Sequence, residues 1–327
     1  MSTAPPPRRR RLPWTLWAGL LSILCCEQLL LIDVVSRGGQ IMPAATPLPP
    51  PSGAVGTAAR LVAVNMTVLC WAAYLLVLDG LLERLSRTAS ASISSIRRRP
   101  NRFVTAWLSS VPLWCYFDWV NFLYMGAWRY HGLPEQYWQR VGGYLLAFAA
   151  ISPGMFLAAQ LYQHLGLRKL RLRGLPIGRG GRLLVLLAGA GFTAYPFWAR
   201  DPVANLTIWL GLMCLLDPIN HQLGAPSVIG DWRAGRYGRT VSLMAAGLTC
   251  GVLWEFWNYW ALAKWTYNLS FLGHLERFRL FEMPLLGFLG FLPFAVSCWV
   301  ALNTFVEVLT RLRLRVAEPL PDEDSVI

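Results

Sequence analysis

The sequence predicts an all-α polytopic membrane protein with about eight transmembrane helices in two tandem four-helix repeats. Its composition is apolar: 55% of the 327 residues are hydrophobic and only 14% are charged, whereas about 25% of the residues in soluble domains are charged. The apolar residues form continuous runs of about 17–25 residues, which is the length of a membrane-spanning helix. In addition, one pattern of polar and aromatic residues occurs twice, which indicates an internal duplication.

Taken in order, the chain divides into apolar spans separated by polar loops. A basic tail, residues 1–12, comes first, and the apolar run after it contains Glu27 and Asp33 and no clear cleavage site, which indicates a retained anchor rather than a signal peptide. The expected spans are residues 13–35, 60–82, 104–128, 141–165, 183–199, 206–222, 241–263 and 284–309. The predicted organisation is a first repeat (13–165), a basic cytoplasmic linker (166–182), a second repeat (183–309) and a cytoplasmic tail (310–327).

The distribution of basic residues predicts the orientation in the membrane. Most of the 30 Lys and Arg residues lie in the two termini and in the loops after the second, fourth and sixth spans. Cytoplasmic segments carry such an excess, so both termini are expected in the cytoplasm, with the protein in the cell inner membrane. The same rule accounts for the net charge of +13. Nucleic-acid binding is not expected, because no binding motif accompanies the charge.

The duplication is clearest in an acid–Asn–Trp–Tyr motif, in which Asn, Trp and Tyr follow the acid after three, ten and twelve residues. Its two copies are Asp118, Asn121, Trp128, Tyr130 and Glu255, Asn258, Trp265, Tyr267. Trp71 and Asp79 in the second span are also spaced like Trp209 and Asp217 in the sixth. An even number of helices per repeat gives both halves one orientation, and membrane proteins with internal repeats often bind substrate where the repeats meet.

Carboxylates within the spans are the candidates for catalysis, because intramembrane ionisable groups are costly and usually mark a functional site. Three segments place an acid and an Asn on one helix face: Asp118 with Asn121, Asp217 with Asn220, and Glu255 with Asn258. Glu282 is expected in the first turn of the eighth span, just before Pro284. The alternative is that each acid is only a structural hydrogen-bond partner.

Depth in the membrane predicts two polar layers. Glu255, Glu282 and Asp118 are expected to share one cavity in the outer half and to be the catalytic residues, whereas Asp79 and Asp217 would form an inner layer. The supporting residues are expected to be Asn258, Asn121, Trp254, Trp257, Trp265, Tyr267, Lys264, Asp217, Asn220 and Asp79. Among the other aromatic residues, Trp128, Trp138 and Trp265 are also expected in the interfacial belt. Trp119 is expected beside the acids.

No cofactor and no metal site are predicted, because the seven cysteines lie within spans and the four histidines lack ligand spacing. Binding of Mg²⁺ by the acid–x–x–Asn pairs is a weaker variant, since the pairs lack a second carboxylate one turn further on. Gly247 and Gly251 form a GxxxG motif, which allows close helix packing either within the chain or in a homodimer.

The segment from Glu255 through Trp265 and Tyr267 to Glu282 and Pro284 resembles the small membrane lycopene cyclases of bacteria and fungi. Members of that family are repeated, all-helical membrane proteins whose acids are thought to protonate a polyene and so start ring closure. The resemblance implies an isoprenoid substrate and general-acid roles for Glu255 and Glu282. Asp118 would be their counterpart in the first half.

Three functions remain open on the sequence. The first is an integral membrane enzyme that acts on a membrane-dissolved lipid of isoprenoid type by protonation, with cyclisation or isomerisation as the outcome. The second is a proton-coupled transporter, which predicts a continuous polar path that includes Asp79 and Asp217. The third is an assembly or scaffold protein whose polar residues only lock helices together.

Overall fold

A computed structural model describes residues 12–44, 46–86, 96, 99–201, 203–314, 320 and 323–326. Within these residues the chain forms nine α-helices: α1 (Trp14–Ser36), α2 (Gly53–Ser86), α3 (Pro100–Val120), α4 (Tyr137–His164), α5 (Arg179–Ala199), α6 (Ala204–Leu223), α7 (Val228–Arg233), α8 (Gly238–Trp260) and α9 (Phe291–Arg311). Four short strands complete it: β1 (Trp128–His131), β2 (Lys264–Tyr267), β3 (Arg279–Leu280) and β4 (Met283–Pro284). Almost all of the predicted basic N-terminal tail and residues 315–319, 321, 322 and 327 of the predicted C-terminal tail lie outside the described residues.

The protein is a multi-pass α-helical membrane protein. Six segments of the described chain are long and apolar enough to cross a bilayer: α1, α2, α4, α5, α8, and α9 with the 3₁₀ turns before it. Helices α3 and α6, with 21 and 20 residues, overlap the predicted third and sixth spans. That they cross the membrane, and that the eight helices form two repeats, stay predictions.

Large apolar side chains remain exposed on the outside of the bundle, most clearly on α1 and α5. Leu21, Leu24 and Val35 of α1 and Leu184 and Leu187 of α5 are examples. In a bilayer these side chains contact lipid tails, which are as apolar as they are. Helix α1 packs on α2, and α5 packs on α6. The inner helices are α2, α3, α4, α6, α8 and α9, which contact one another.

Glycines set the closest helix–helix contacts. A Cβ on Gly19 of α1 would lie 2.6 Å from the carbonyl oxygen of Ala73, and a Cβ on Gly189 of α5 would overlap the backbone of Cys214 and Leu215. The predicted GxxxG of α8 is used within the chain, because a Cβ on Gly247 would overlap the carbonyl oxygen of Phe291 in α9.

Two predicted spans end earlier than expected, and both do so at the acid–Asn–Trp–Tyr motif. Helix α3 ends at Val120 and continues as a π-helical turn, Asn121–Met125, that Gly126 terminates with φ +62°. Helix α8 ends at Trp260. The residues beyond both helices form β1 and β2, so Trp128 lies in a strand rather than at the end of a span, and Lys264 lies in a strand rather than in a loop. Hydropathy does not resolve these ends, because apolar residues continue past both helices, at 122–127 and at 261–263, before the strands begin.

The end of the bundle that carries β1 and β2 is here called the hairpin end, and the end that carries α7 is called the tail end. At the tail end, residues 323–326 of the C-terminal tail lie on the bundle. The Asp324 carboxylate is 2.8 Å from a guanidinium nitrogen of Arg171. Trp299 of α9 donates to the carbonyl oxygen of Val326.

Candidate functional site

Strands β1 and β2 form a two-stranded antiparallel ribbon that joins the two copies of the motif. Trp128 pairs with Tyr267, and Tyr130 pairs with Trp265. The Trp of each copy therefore lies opposite the Tyr of the other, with Arg129 opposite Thr266 at the centre. A local two-fold axis through the centre of the ribbon therefore relates the two copies of the motif.

In the first copy, Asp118 and Asn121 both hold the strand that follows them. Asp118 Oδ1 accepts hydrogen bonds from Trp128 Nε1 at 2.9 Å and from the Tyr130 hydroxyl at 3.1 Å. Asn121 Oδ1 accepts from the backbone N–H groups of Ala127 and Trp128, and its Nδ2 donates to the carbonyl oxygen of Trp128. The amide therefore closes the turn that connects α3 to β1.

The second copy repeats these contacts. Glu255 Oε1 accepts from the Tyr267 hydroxyl at 2.7 Å and from Trp265 Nε1 at 3.3 Å. Asn258 Oδ1 accepts from the Trp265 N–H, and its Nδ2 donates to the Trp265 carbonyl oxygen, both at 2.8 Å. The spacing of three, ten and twelve residues thus corresponds to one hydrogen-bonded unit in both places. Glu255 is fully buried, and its Oε2 has no hydrogen-bond partner among the described residues.

A cavity of about 130 Å³ lies beside the ribbon. Residues from both halves of the chain line it, and most of them are apolar or aromatic. The aromatic residues in its wall are Trp71, Trp114, Trp128, Tyr130, Tyr144, Phe148, Trp209, Trp254, Trp265, Tyr267, Phe291 and Phe294. The lining also includes the polar or charged residues Asn65, Thr67, Gln139, Arg140 and Lys264. Apolar walls with a few polar groups are typical of ligand sites.

None of the three predicted catalytic acids is among the described residues that line this cavity. Tyr130 and Tyr267 do line the cavity, and their hydroxyl groups donate to Asp118 and Glu255. Each of these two acids is therefore separated from the cavity by one hydrogen-bonded tyrosine. The expectation of one cavity open to all three carboxylates is therefore wrong. The reason is that Trp and Tyr side chains of the same motif occupy the space between carboxylate and cavity.

Glu282 lies in a different setting from the one predicted. It does not open a helix but sits in the tight turn between β3 and β4, next to Phe281 with φ +58°. Its Oε1 forms an ion pair with Nζ of Lys264 in β2. The Lys264 side chain is fully buried and also donates to the Tyr259 carbonyl oxygen. Burial lowers the pKa of Lys264 from its ordinary value, and the neighbouring Glu282 acts in the opposite direction.

The Tyr267 hydroxyl, outside the spanning helices, has a pKa well above its ordinary value, because burial and the neighbouring Glu255 carboxylate both disfavour the phenolate. Tyr267 therefore keeps its proton as a hydrogen-bond donor. While Glu255 is ionised, the hydrogen bond therefore runs from the tyrosine hydroxyl to the carboxylate.

The predicted inner layer has a structural role at Asp217 and Asn220. The Asp217 carboxylate accepts the backbone N–H groups of Val228 and Ile229 at the start of α7. Asn220 Nδ2 donates to the carbonyl oxygen of Val300 in α9, and its Oδ1 accepts from the hydroxyl of Thr304. This third acid–x–x–Asn pair therefore does not reproduce the bonds of the other two. Asp79 is buried in α2, outside the cavity lining.

The tryptophans differ from expectation in three places. Trp128 and Trp265, predicted for the interfacial belt, are buried and bonded to the acids. Trp119, predicted beside the acids, is 48% exposed on the outside of α3. Trp138 is exposed, as a belt residue would be. Trp254 lines the cavity, whereas Trp257 donates to Glu27 of α1 at 3.0 Å.

Several cavity residues were not singled out as site residues from the sequence. Tyr130 follows from the motif itself, and Trp71 and Trp209 occupy matching places in the duplicated pattern. Thr67 carries no comparable signal, because a single Thr in an apolar helix is common. Its place one turn before Trp71 on α2 becomes meaningful only when the cavity is known.

The described residues contain no group of three or more His, Cys, Asp or Glu side chains that could hold a metal ion. In the first copy the Asn121 oxygen accepts two backbone N–H groups, and in the second the Asn258 oxygen accepts one. Coordination of Mg²⁺ by Asn121 would compete with both of its hydrogen bonds.

Fold and site together define a multi-pass helical membrane protein with an aromatic cavity beside a two-stranded ribbon. Comparison with protein-family models, with curated protein sequences and with solved structures finds no match to this chain.

Proposed function

We propose that this protein is an integral membrane enzyme that acts on a membrane-dissolved lipid of isoprenoid type by acid chemistry. The observation that carries the proposal is the aromatic cavity whose wall contains the hydroxyl donors of both intramembrane carboxylates. Such a cavity suits an apolar ligand, and aromatic faces stabilise a cation that develops on it. Cyclisation or isomerisation of a polyene passes through such a cation.

Any proton that moves between Glu255 and a cavity ligand passes through Tyr267. The tyrosine hydroxyl lies 2.7 Å from Glu255 Oε1 and belongs to the cavity wall. In the acid step, the Tyr267 O–H proton goes to a ligand carbon while a protonated Glu255 carboxyl returns its proton to the tyrosine oxygen. Tyr130, in the other strand of the ribbon, forms the equivalent pair with Asp118.

The roles of the predicted residues follow from their places. Tyr267 and Tyr130 would touch the ligand, and Glu255 and Asp118 would supply protons one bond behind them. Glu282 is a positioning residue, because its ion pair holds Lys264 in the ribbon. The two halves would be tandem four-helix repeats that meet at this ribbon, with both termini in the cytoplasm of a cell whose inner membrane holds the protein.

One observation favours a second candidate, an assembly or scaffold protein. The hydrogen bonds of Asp118 and Glu255 to described residues lie within their own motifs, which is also what a purely structural role requires. A proton-coupled transporter has less support, because Asp217 of the expected inner path caps α7 instead.

Lipid analysis of a deletion strain separates these candidates. The strain is complemented with wild type, Glu255→Gln, Tyr267→Phe or Asp118→Asn, and its lipid extracts are compared by mass spectrometry. The enzyme proposal expects one isoprenoid to accumulate in the deletion strain and in the Glu255→Gln and Tyr267→Phe strains, with wild type reversing it.

A matched control is Tyr195→Phe in α5, whose ring lies outside the cavity lining. It should complement fully. If well-expressed Glu255→Gln and Tyr267→Phe proteins restore the wild-type lipid profile, the acid-catalysis proposal is wrong. If deletion alters assembly of other membrane proteins and no lipid, the scaffold candidate replaces it.

A further inference from the structure

The cavity wall contains hydrogen-bond donors that no described residue satisfies. Trp71 Nε1, Trp254 Nε1 and Thr67 Oγ1 are buried and have no hydrogen-bond partner among the described residues. All three residues line the cavity, and the two tryptophans are 1% and 7% exposed. Because the large majority of buried polar atoms in proteins have a partner, these three donors point to an acceptor that the chain itself does not provide.

The three donors lie on one side of the cavity. Thr67 and Trp71 are one helical turn apart on the same face of α2. Trp254 of α8 meets Trp71 edge to face, with ring centroids 5.7 Å apart. A Cβ on Gly154 would lie 2.8 Å from Trp71 Cζ3, so the benzo edge of this indole faces α4. Its Nε1 is on the opposite edge of the ring.

The size of the cavity limits what can enter it. Its volume is about 130 Å³, and a dry protein cavity of about 150 Å³ holds one benzene-sized molecule. A long polyene therefore places only a ring-sized end inside. The rest of its chain would run towards lipid.

We propose that the cavity binds the ring-sized, uncharged end of an isoprenoid that carries a carbonyl oxygen, as a cyclic ketone or a quinone does. This inference rests on the proposed function and names the substrate class of the same site. The aromatic walls contact the ring, and the carbonyl oxygen accepts from the indole N–H groups and the Thr67 hydroxyl. A pure hydrocarbon end leaves all three donors unpaired, so the site discriminates against it.

Two isosteric probes test the inference. Acetophenone and α-methylstyrene have the same skeleton, and only the first carries a carbonyl oxygen. Each is titrated into the full-length protein in lipid nanodiscs by calorimetry, with empty nanodiscs as the blank and affinities corrected for partition into lipid. Acetophenone is expected to bind about three- to tenfold more tightly, the ratio that one or two hydrogen bonds produce.

Variants assign the preference to the donors. Thr67→Val keeps the side-chain volume and removes the hydroxyl, and Trp254→Phe removes an indole N–H. Each should reduce the ratio of acetophenone affinity to α-methylstyrene affinity, and Thr67→Val should in addition leave α-methylstyrene binding within about twofold. Thr207→Val is the matched control, because this hydroxyl bonds the Ala204 carbonyl oxygen in α6, outside the cavity lining.

The outcomes separate this inference from the function on which it rests. If wild type binds both probes with equal corrected affinity, or if the variants weaken binding of both probes alike, the proposed carbonyl group is wrong. The proposal of an aromatic binding site would still stand. If benzoate binds more tightly than acetophenone, the bound end of the ligand is an anion that pairs with Arg140, and the proposal of an uncharged end is wrong. If neither uncharged probe binds above the empty-nanodisc blank, both the inference and the proposed function fail.

Discussion

Asn121 and Asn258 show how a single side chain can end a helix of the bundle. Each amide bonds the backbone of the strand that follows, through its oxygen and its nitrogen. Within a bilayer every backbone polar group needs a partner. The amide supplies those partners where the helical ladder stops, so the chain can turn into the ribbon.

Replacement of this amide should destabilise the protein. Asn258→Ala removes two buried hydrogen bonds and leaves the N–H and carbonyl groups of Trp265 without that partner. An unsatisfied buried group costs about 1–3 kcal/mol. The expected result is a clearly lower unfolding midpoint in detergent, measured by thermal denaturation with circular dichroism.

Asn268→Ala is the control for that variant. Asn268 lies just after β2 and is exposed, so its side chain should contribute little. If both variants unfold at the same temperature as wild type, the amide does not hold the ribbon.

At the scale of elements, the contact between α8 and α9 depends on the absence of a side chain. Gly247 and Gly251 of α8 both face Phe291 at the start of α9. Because helix association within lipid relies on close packing rather than on a hydrophobic driving force, small residues at this contact matter more than apolar ones.

Gly247→Ala should weaken the bundle. The added methyl group would overlap the Phe291 carbonyl oxygen and contact Ala295, and overpacking of this kind costs about 1–3 kcal/mol. The measurement is the unfolding midpoint in detergent, compared with that of wild type.

Gly191→Ala in α5 is a matched control, because a Cβ there meets no heavy atom within 4 Å. This variant should be neutral or more stable by up to about 1 kcal/mol, since Ala is the better helix former. A Gly247→Ala protein as stable as Gly191→Ala would show that α8 and α9 do not approach as described.

Helix α7 has only six residues and depends on groups outside itself. Ser227 caps it by accepting from the Gly230 N–H, and Asp217 in α6 accepts from the N–H groups of Val228 and Ile229. A helix this short is not stable alone. Its position therefore depends on Asp217.

Asp217→Ala should accelerate hydrogen exchange at α7 while exchange at α8 stays unchanged. The reason is that the amides of Val228 and Ile229 lose their acceptor. Exchange is followed by mass spectrometry on peptides that cover both helices. Unchanged exchange at α7 would mean that Asp217 does not hold this helix, and its role in an inner polar path would regain support.

At the scale of the whole molecule, the bundle has two chemically different ends. The hairpin end carries the ribbon, the buried Lys264–Glu282 pair and the cavity. The tail end carries basic residues, among them Arg171 and Arg236, which pair with acids of the C-terminal tail. The positive-inside rule assigns the basic end to the cytoplasm.

Cysteine labelling in intact cells tests this orientation. His274→Cys at the hairpin end should react with a membrane-impermeant maleimide, whereas Gly178→Cys at the tail end should react only after permeabilisation. Both positions are exposed, and the seven native cysteines lie in helices, so wild type provides the background. The reverse pattern would place both termini outside the cytoplasm.

Much of the site could be predicted from the sequence, because the motif is local. Asp118 and Glu255 each bond a Trp and a Tyr ten and twelve residues later, so spacing alone joined these residues. Glu282 and Trp128 were placed wrongly from the sequence because their positions do not follow from local spacing. Their positions depend on a tight turn and on the pairing of β1 with β2, which joins residues far apart in sequence and which local spacing does not show.

The sequence by itself determined that this is a multi-pass helical membrane protein and that two copies of one hydrogen-bonded motif are present, because span length and residue spacing are properties of the chain. Only the tertiary structure decided that the two copies pair with each other, that the carboxylates lie behind a wall of Trp and Tyr, and that residues with unsatisfied donors line a ring-sized cavity. These features arise where α2 meets α8 and β1 meets β2, and such contacts join residues far apart in sequence.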